Sequence, residues 1–193
     1  IWEEQFEYNA FTQALYAAGL DAAQKLAKDL GLQDLADSYN GAAGTIRSAI
    51  QRSSTDGVAG LYNTTDGDSN WWYYNRAVNL DGTPRTTVDS SSDVLFTYGV
   101  LDMASKRAYN HYRKITATIS RDGTGIARYQ GDTFYTGKNS WDPGGAETLD
   151  DEPSWPQMTM WIAMMELNSG YHALQERGYD RLQWYVDRTA LGY

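Results

Sequence analysis

The sequence predicts an all-α fold, part of a toroid of helical hairpins that carries long loops at one end. Three observations predict it. Apolar residues recur at intervals of three and four in paired segments, two stretches rich in Gly, Asn, Asp and Trp separate those pairs, and neither a β-α-β period nor a short repeat runs through the chain.

From Phe6 the apolar positions Phe11, Leu15, Ala18, Ala22 and Leu26 predict a helix of about 24 residues, stopped by Gly31 as a left-handed C-terminal residue. Leu35, Tyr39, Ala42, Ile46 and Ile50 continue as a second helix until Ser53-Ser54-Thr55-Asp56-Gly57 ends it, so the two form an antiparallel hairpin. Residues 56–91 read as long loops with strand-like pieces around Leu61 and Trp72 to Tyr74. Helical phase returns through Val94, Tyr98 and Leu101, and again through Ala108, Tyr112, Ile115 and Ile119, before Arg121-Asp122-Gly123 turns the chain. A second loop region, 121–154, holds six glycines. Trp155, Met158, Ile162 and Met165 then mark one apolar stripe, and Leu182, Tyr185 and Val186 a shorter one.

Composition narrows the function. The 193 residues suit one domain, and a formal charge of −9 has the wrong sign for gripping nucleic acid or an anionic membrane. The longest apolar candidate, Trp155 to Leu167, falls short of the roughly 20 residues of a membrane span and is interrupted by Pro156, Gln157 and Glu166. With no cysteine there is no disulfide scaffold, thiolate metal site or cysteine nucleophile. Aromatic residues make up 13% of the chain, many of them beside Gly, Asn and Asp. A sugar cleft needs that combination, because pyranose rings offer apolar C–H faces ringed by hydroxyls. A Tyr-rich core with aromatic loops has the same composition.

Four stretches carry candidate chemistry. Trp2-Glu3-Glu4 sets two acids beside an indole; partial desolvation there would raise a carboxyl's pKa and keep its proton for a leaving group, while the alternative is an acidic pair favoured by a helix N-terminus. In Gly125-Ile126-Ala127-Arg128-Tyr129-Gln130-Gly131-Asp132 an arginine can fork onto vicinal sugar hydroxyls, or onto the neighbouring aspartate as a turn anchor. In Glu152-Pro153-Ser154-Trp155-Pro156-Gln157, Ser154 resembles an N-cap and Pro156 an early helical position, leaving Trp155 as a platform. Asp66-Gly67-Asp68-Ser69-Asn70 opens like a calcium loop, but Trp71 stands where that loop requires Gly and Ala77 where it requires the bidentate Glu. Calcium at Asp66, Asp68 and Asn70 is the one metal the sequence suggests, and it suggests no other cofactor. His111 and His172 fall in helices without a ligand partner, and no phosphate-binding, dinucleotide or serine-hydrolase motif is present.

At these residues the sequence resembles the glucoamylase family of inverting exo-glycosidases, glycoside hydrolase family 15, and within it the prokaryotic glucoamylase and glucodextranase branch. IWEEQFEYNAFTQALYAAGL is similar to the family's Trp-Glu-Glu segment leading into a long helix, and VDSSSDVLFTYGVL to its Asp-Ser-Ser stretch. RYQGDTFYTG resembles its Arg-Tyr-x-x-Asp-x-Tyr-x-Gly loop, and SWPQMTMWIAMMEL stands where the family has Pro-Trp before an apolar helix. The resemblance implies an (α/α)6 barrel whose active site lies in the loops at one end. It implies Glu3 as the general acid, Glu4 as an acid contacting substrate, Trp2 as an aromatic wall, Arg128 as the arginine that contacts the terminal glucose, and Trp155 as another pocket aromatic. Tyr129 and Asp132 accompany Arg128 in the substrate-binding set, and Lys138 to Pro153 would reshape the sites beyond the cleaved bond.

The implied activity is exo-acting, inverting hydrolysis of α-glucans from the non-reducing end, releasing β-D-glucose; a polymeric substrate points outside the cell rather than to the cytoplasm. Inversion requires a second carboxylate about 6.5–9.5 Å from the first. In the family that base follows the helix that QWYVDRTALGY resembles, so residues 1–193 are expected to be a single incomplete barrel domain, bound to the remaining segments of the same barrel. Glu147, Asp150, Asp151 and Glu152 are the internal carboxylates that a substituted base would draw on. Two other readings stay open: a carbohydrate-binding fragment without turnover, and a trehalase- or phosphorylase-type enzyme on a related toroid.

Overall fold

The computed structural model describes residues 7–55, 60–121, 124–132 and 154–190. Strand β1 (Glu7–Asn9) leads into α1 (Ala10–Asp29), and α2 (Gln33–Gln51) follows after three residues. Short strands β2 (Tyr62–Asn63), β3 (Tyr73–Tyr74), β4 (Ala77–Asn79) and β5 (Pro84–Arg85) come next, then a one-turn helix α3 (Val94–Thr97) and α4 (Lys106–Ile119). The chain continues through the hairpin β6 (Ser120–Arg121) and β7 (Gly125–Ile126) to α5 (Pro156–Asn168) and α6 (His172–Ala190). Helical hairpins α1–α2 and α5–α6 thus flank a loop-rich middle, as the periodicity predicts.

The first helix starts later than its apolar spacing suggests. Glu7 to Asn9 pair antiparallel with Asn79 to Ala77, and β5 extends the sheet in the order β1-β4-β5. Asn9 ends the strand as N-cap of α1, its side-chain oxygen accepting the Phe11 N–H at 2.9 Å. Gly31, at φ 73°, closes the helix in the left-handed conformation that favours glycine. The stretch from Val94 to Leu101 holds only the single turn α3, because Gly99 at φ 69° reverses the chain. The strand-like pieces near Leu61 and Trp72 to Tyr74 become the β2–β3 pair, with Tyr62 opposite Tyr74.

Which face of α1 is buried also differs from expectation. The helix turns Ala10, Ala14 and Ala17 inward, against α3 and the 3-10 turn Ser90–Asp93, while Leu15, Tyr16 and Leu26 are exposed. An alanine face lets a helix axis approach its neighbours closely, and the apolar count along a helix does not say which of two faces does so. Leu30, Leu32 and Leu35 are exposed as well, so the α1–α2 hairpin keeps a run of large apolar side chains on its surface. No described helix is long and apolar enough to cross a membrane.

The core is built from Tyr74, Leu95, Phe96, Ile115, Ile119, Ile126, Met158 and Ile162, contributed by β3, α3, α4, β7 and α5. A buried ion pair joins α5 and α6. Glu166 on α5 is fully buried, accepts both of its short bonds from Arg181 Nε at 2.9 and 2.8 Å, and takes a third from the Tyr112 hydroxyl at 2.8 Å. Arg181 also donates to the Thr124 carbonyl, so this pair ties α4, α5, α6 and the β6–β7 hairpin together. Burial and the adjoining Glu166 carboxylate push the Tyr112 phenol up to about 12. Removing one member of a buried pair leaves the other charge uncompensated. Arg181→Met is therefore expected to cost about 3–5 kcal/mol of stability, more than the double replacement of Glu166 and Arg181 by apolar residues. Thermal unfolding followed by circular dichroism measures both.

Candidate active site

The backbone between β7 and Asp132 is fastened on two sides. Ser90 donates both its N–H and its hydroxyl to the Arg128 carbonyl at 2.8 Å, and the Gln130 N–H reaches the Val88 carbonyl at 2.8 Å, making a short antiparallel bridge between Asp89 and Tyr129. On the other side the Trp155 N–H donates to the Ile126 carbonyl at 2.8 Å. Gly125 makes that approach possible: a Cβ there would stand 2.5 Å from Ser154 Cβ and 3.1 Å from the Trp184 ring. Trp155, not Ser154, is the N-cap of α5, with Pro156 in the first turn and no side-chain cap bond; Ser154 is instead occupied by its packing on Gly125.

Four of the predicted residues meet on this frame. Arg128 is 5% exposed and forks onto Asp132, Nε to Oδ2 at 2.8 Å and Nη2 to Oδ1 at 2.5 Å. The Trp155 indole N–H donates to the same carboxylate at 3.1 Å. The guanidinium stacks 4.5 Å from the Trp155 ring centroid and 5.2 Å from that of Tyr129. An arginine beside two aromatic rings, bonded through two nitrogens to one carboxylate, presents a planar cation whose orientation is restrained. Such a group suits recognition of paired oxygens, as on adjacent sugar hydroxyls.

A second arginine lies beside the first. Arg76, 4% exposed, stands with its Cζ 4.7 Å from the Tyr129 ring centroid. Its Nε is 3.2 Å from Glu7 Oε1 and 3.5 Å from Asp89 Oδ2, while Arg85 approaches Glu7 Oε2 at 3.4 Å. Signs therefore alternate along Arg85, Glu7, Arg76 and Asp89, and the row ends against the ring that Arg128 also faces.

Beneath it runs a wholly buried polar segment, Asp89-Ser90-Ser91-Ser92-Asp93. Asp89 caps the 3-10 turn by accepting the Ser91 N–H at 2.7 Å. Asp93 at the far end has its Oδ1 3.2 Å from His111 Nε2, which lies equally close to Ser92 Oγ. The Tyr74 N–H donates to His111 Nδ1 at 3.1 Å, so the ring's proton sits on Nε2 and faces Ser92 and Asp93. Complete burial pushes the Asp93 carboxyl above the usual range; the His111 bond works against that and the Asp89 charge adds to it.

The structure thus brings together Arg128, Tyr129, Asp132 and Trp155. Trp2, Glu3 and Glu4 lie outside the described residues, three positions and more before Glu7, as do Glu147, Asp150, Asp151 and Glu152. Asp66, Asp68 and Asn70 sit apart in the turn before Trp71, where Asp66 Oδ1 accepts the Asp68 N–H and Asp68 Oδ1 accepts from both Asn70 nitrogens. Those oxygens serve the turn, and among the described residues no group of three or more His, Asp or Glu side chains is placed to hold a metal ion. His111 is a core residue and His172 is exposed beside Glu176. Sequence reasoning gave no role to Glu7, Arg76, Asp89 and Asp93, and read His111 only as a helix residue without a ligand partner. The only signal was polar density: two aspartates bracketing three serines, and an arginine among aromatic residues.

The chain belongs to glycosyl hydrolases family 15, whose family model matches residues 1–193. Two solved structures share its fold. A bacterial glucoamylase complexed with acarbose superposes with a TM-score of 0.67 at 23% identity, over 93% of this chain and 28% of that one. A glycosidase E335A variant in complex with glucose gives 0.64 at 16% identity, over 97% of this chain and 41% of that one. The chain therefore spans well under half the length of either structure, and its fold is part of an (α/α)6 barrel. No curated protein matches the sequence.

Because Asp93 is more readily protonated in the folded chain than in the unfolded one, the folded chain holds an extra proton between the two values. That contribution to stability is complete below the ordinary aspartate range and is lost as pH rises through the raised value. Asp93→Asn, which keeps an acceptor for His111 and cannot ionise, is expected to raise the melting temperature at pH 7. The gain should shrink as pH falls toward about 4, which melting curves across that range will read.

Proposed function

We propose that this chain is the acid-bearing portion of an exo-acting, inverting α-glucosidase that releases β-D-glucose from the non-reducing ends of α-glucans. The observation that carries the reading is the Arg128–Asp132 fork beside the Tyr129 and Trp155 rings, next to the N-terminus of α5. It lies at the positions where the sequence resembles the family's sugar-gripping arginine and pocket aromatic.

In this reading Arg128 binds hydroxyls of the terminal glucose, Asp132 holds the guanidinium in plane, and Trp155 offers its ring to a pyranose face. Glu3 donates its proton to the glycosidic oxygen as the bond to the anomeric carbon breaks. Water adds to the opposite face of the ring, its proton taken by a carboxylate outside these 193 residues, and the product emerges with inverted configuration. Trp2 walls the site and Glu4 contacts the sugar. Two facts support completion by further barrel segments: the chain covers 28% and 41% of the two solved structures, and the α1–α2 hairpin exposes Leu15, Leu26, Leu30, Leu32 and Leu35. A polymeric glucan substrate points to an enzyme acting outside the cell, and the formal charge of −9 disfavours nucleic acid and anionic membrane as partners.

Loss of the general acid is expected to slow hydrolysis by about 10²–10⁴-fold. Glu3→Gln in the full-length protein, assayed for glucose release from maltooligosaccharides, tests the assignment, and an unchanged rate overturns it. Proton NMR of the first-formed anomer tests inversion, for which β-glucose is the expected product. Tight glucan binding without glucose release would instead favour a binding role, and cleavage dependent on phosphate a phosphorylase.

A further inference from the structure

Six charged side chains are assembled at the predicted sugar site and next to it: Arg85, Glu7, Arg76, Asp89, Arg128 and Asp132. Apart from Arg85 each is nearly or wholly buried. As a source of stability this array is a poor choice, since desolvating paired charges offsets most of their attraction and apolar residues of similar volume serve as well or better. What the array does supply is fixed direction. Glu7 Oε1 and Asp89 Oδ2 both approach Arg76 Nε, at 3.2 and 3.5 Å, and the Arg76 Cζ stands 4.7 Å from the Tyr129 centroid. Tyr129 is 6% exposed, immediately follows Arg128, and faces the Arg128 guanidinium at 5.2 Å. The Tyr129 ring thus has two guanidinium groups close to its centroid, at 4.7 and 5.2 Å, and an electron-rich ring favours such cations.

We propose that Arg76 is a positioning residue for the sugar-binding cluster: held by Glu7 and Asp89, it fixes the Tyr129 ring, and through that ring the orientation of Arg128 and of the Trp155 indole that shares Asp132. This deepens the function proposed above and rests on it for its kinetic consequence. The geometry itself lies within residues 7–155 and does not depend on the reaction. Neither composition nor resemblance assigns Arg76 a role. It acts through Tyr129 and Arg128 and takes no part in proton transfer.

Two measurements on the full-length protein test the proposal. The first is kinetic. A group that orients Arg128 equally for bound substrate and transition state acts as uniform binding, so its loss raises KM with little change in kcat. Arg76→Met is expected to raise KM for maltooligosaccharides about tenfold while kcat changes less than about twofold. Arg76→Lys, which keeps the charge but not the plane, should fall between. Combined with Arg128→Met, the two effects should be less than multiplicative, since one acts through the other. Arg76 is buried, so loss of folded protein is the foreseeable failure of the Met variant; the Lys variant then carries the test.

The second measurement needs no activity. In protein labelled with 5-fluorotryptophan, the Trp155 resonance, assigned by Trp155→Phe, should shift in Arg76→Lys and Arg76→Met as its contacts with Arg128 and Asp132 change. A folded variant with unchanged KM and an unmoved Trp155 resonance overturns the proposal, and so do Arg76 and Arg128 effects that multiply independently. If the full-length protein releases no glucose from any α-glucan, the proposed function fails. The fluorine resonance then still decides whether Arg76 positions the cluster.

Discussion

The bridge between Asp89 and Tyr129 is the constraint on which the described site depends. It joins the loop after β7 to the buried turn that precedes α3, and Ser90 doubles it by giving two donors to one carbonyl, that of Arg128. Because the residues from Asp89 to Asp93 are buried between α1, α4 and α5, that carbonyl is located relative to three helices at once. The side chain of Arg128 then needs little more than Asp132 and two rings to be fixed. A loop that would otherwise have the mobility of a connection acquires the precision of a core element.

That arrangement explains why polar residues occupy the centre of a helical layer. Each buried serine of the turn can return its hydroxyl to a backbone carbonyl, as Ser90 does to Arg128 and Ser92 to Asp89. A leucine in either place would fill space without locating anything. His111 does the same at the other end of the turn, accepting from the Tyr74 N–H and presenting its remaining proton to Ser92 and Asp93. The helices supply the burial, and the turn spends it on direction rather than on apolar contact.

Much of this was legible in the sequence, for identifiable reasons. The hairpins α1–α2 and α5–α6 follow from three- and four-residue spacing, and Arg128 with Asp132 from their i, i+4 separation in a glycine-bounded loop. Local rules reach that far and no further. The alanine face of α1 was not readable, because Leu15 and Leu26 carry the stronger apolar signal and yet point outward. β1 was hidden for a different reason: a three-residue strand exists only through pairing with β4, about seventy positions away.

The same distance separates Glu7 from Arg76, and this is why the charged row escaped sequence reasoning while the fork did not. A charge gains nothing from burial on its own, so a buried arginine is stable only where the fold has already gathered its counter-charges. Arg76 therefore cannot be recognised before β1, β4 and the Asp89 turn are in register. Once they are, its position follows: β1 and the turn bring Glu7 and Asp89 to its Nε, and the Ala10 N–H donates to the Arg76 carbonyl where the strand becomes α1. The strand that follows Trp2-Glu3-Glu4 is thus joined to the arginine nearest Tyr129. One residue, Arg76, thus links the β1–α1 junction through its carbonyl and the Tyr129 ring through its guanidinium.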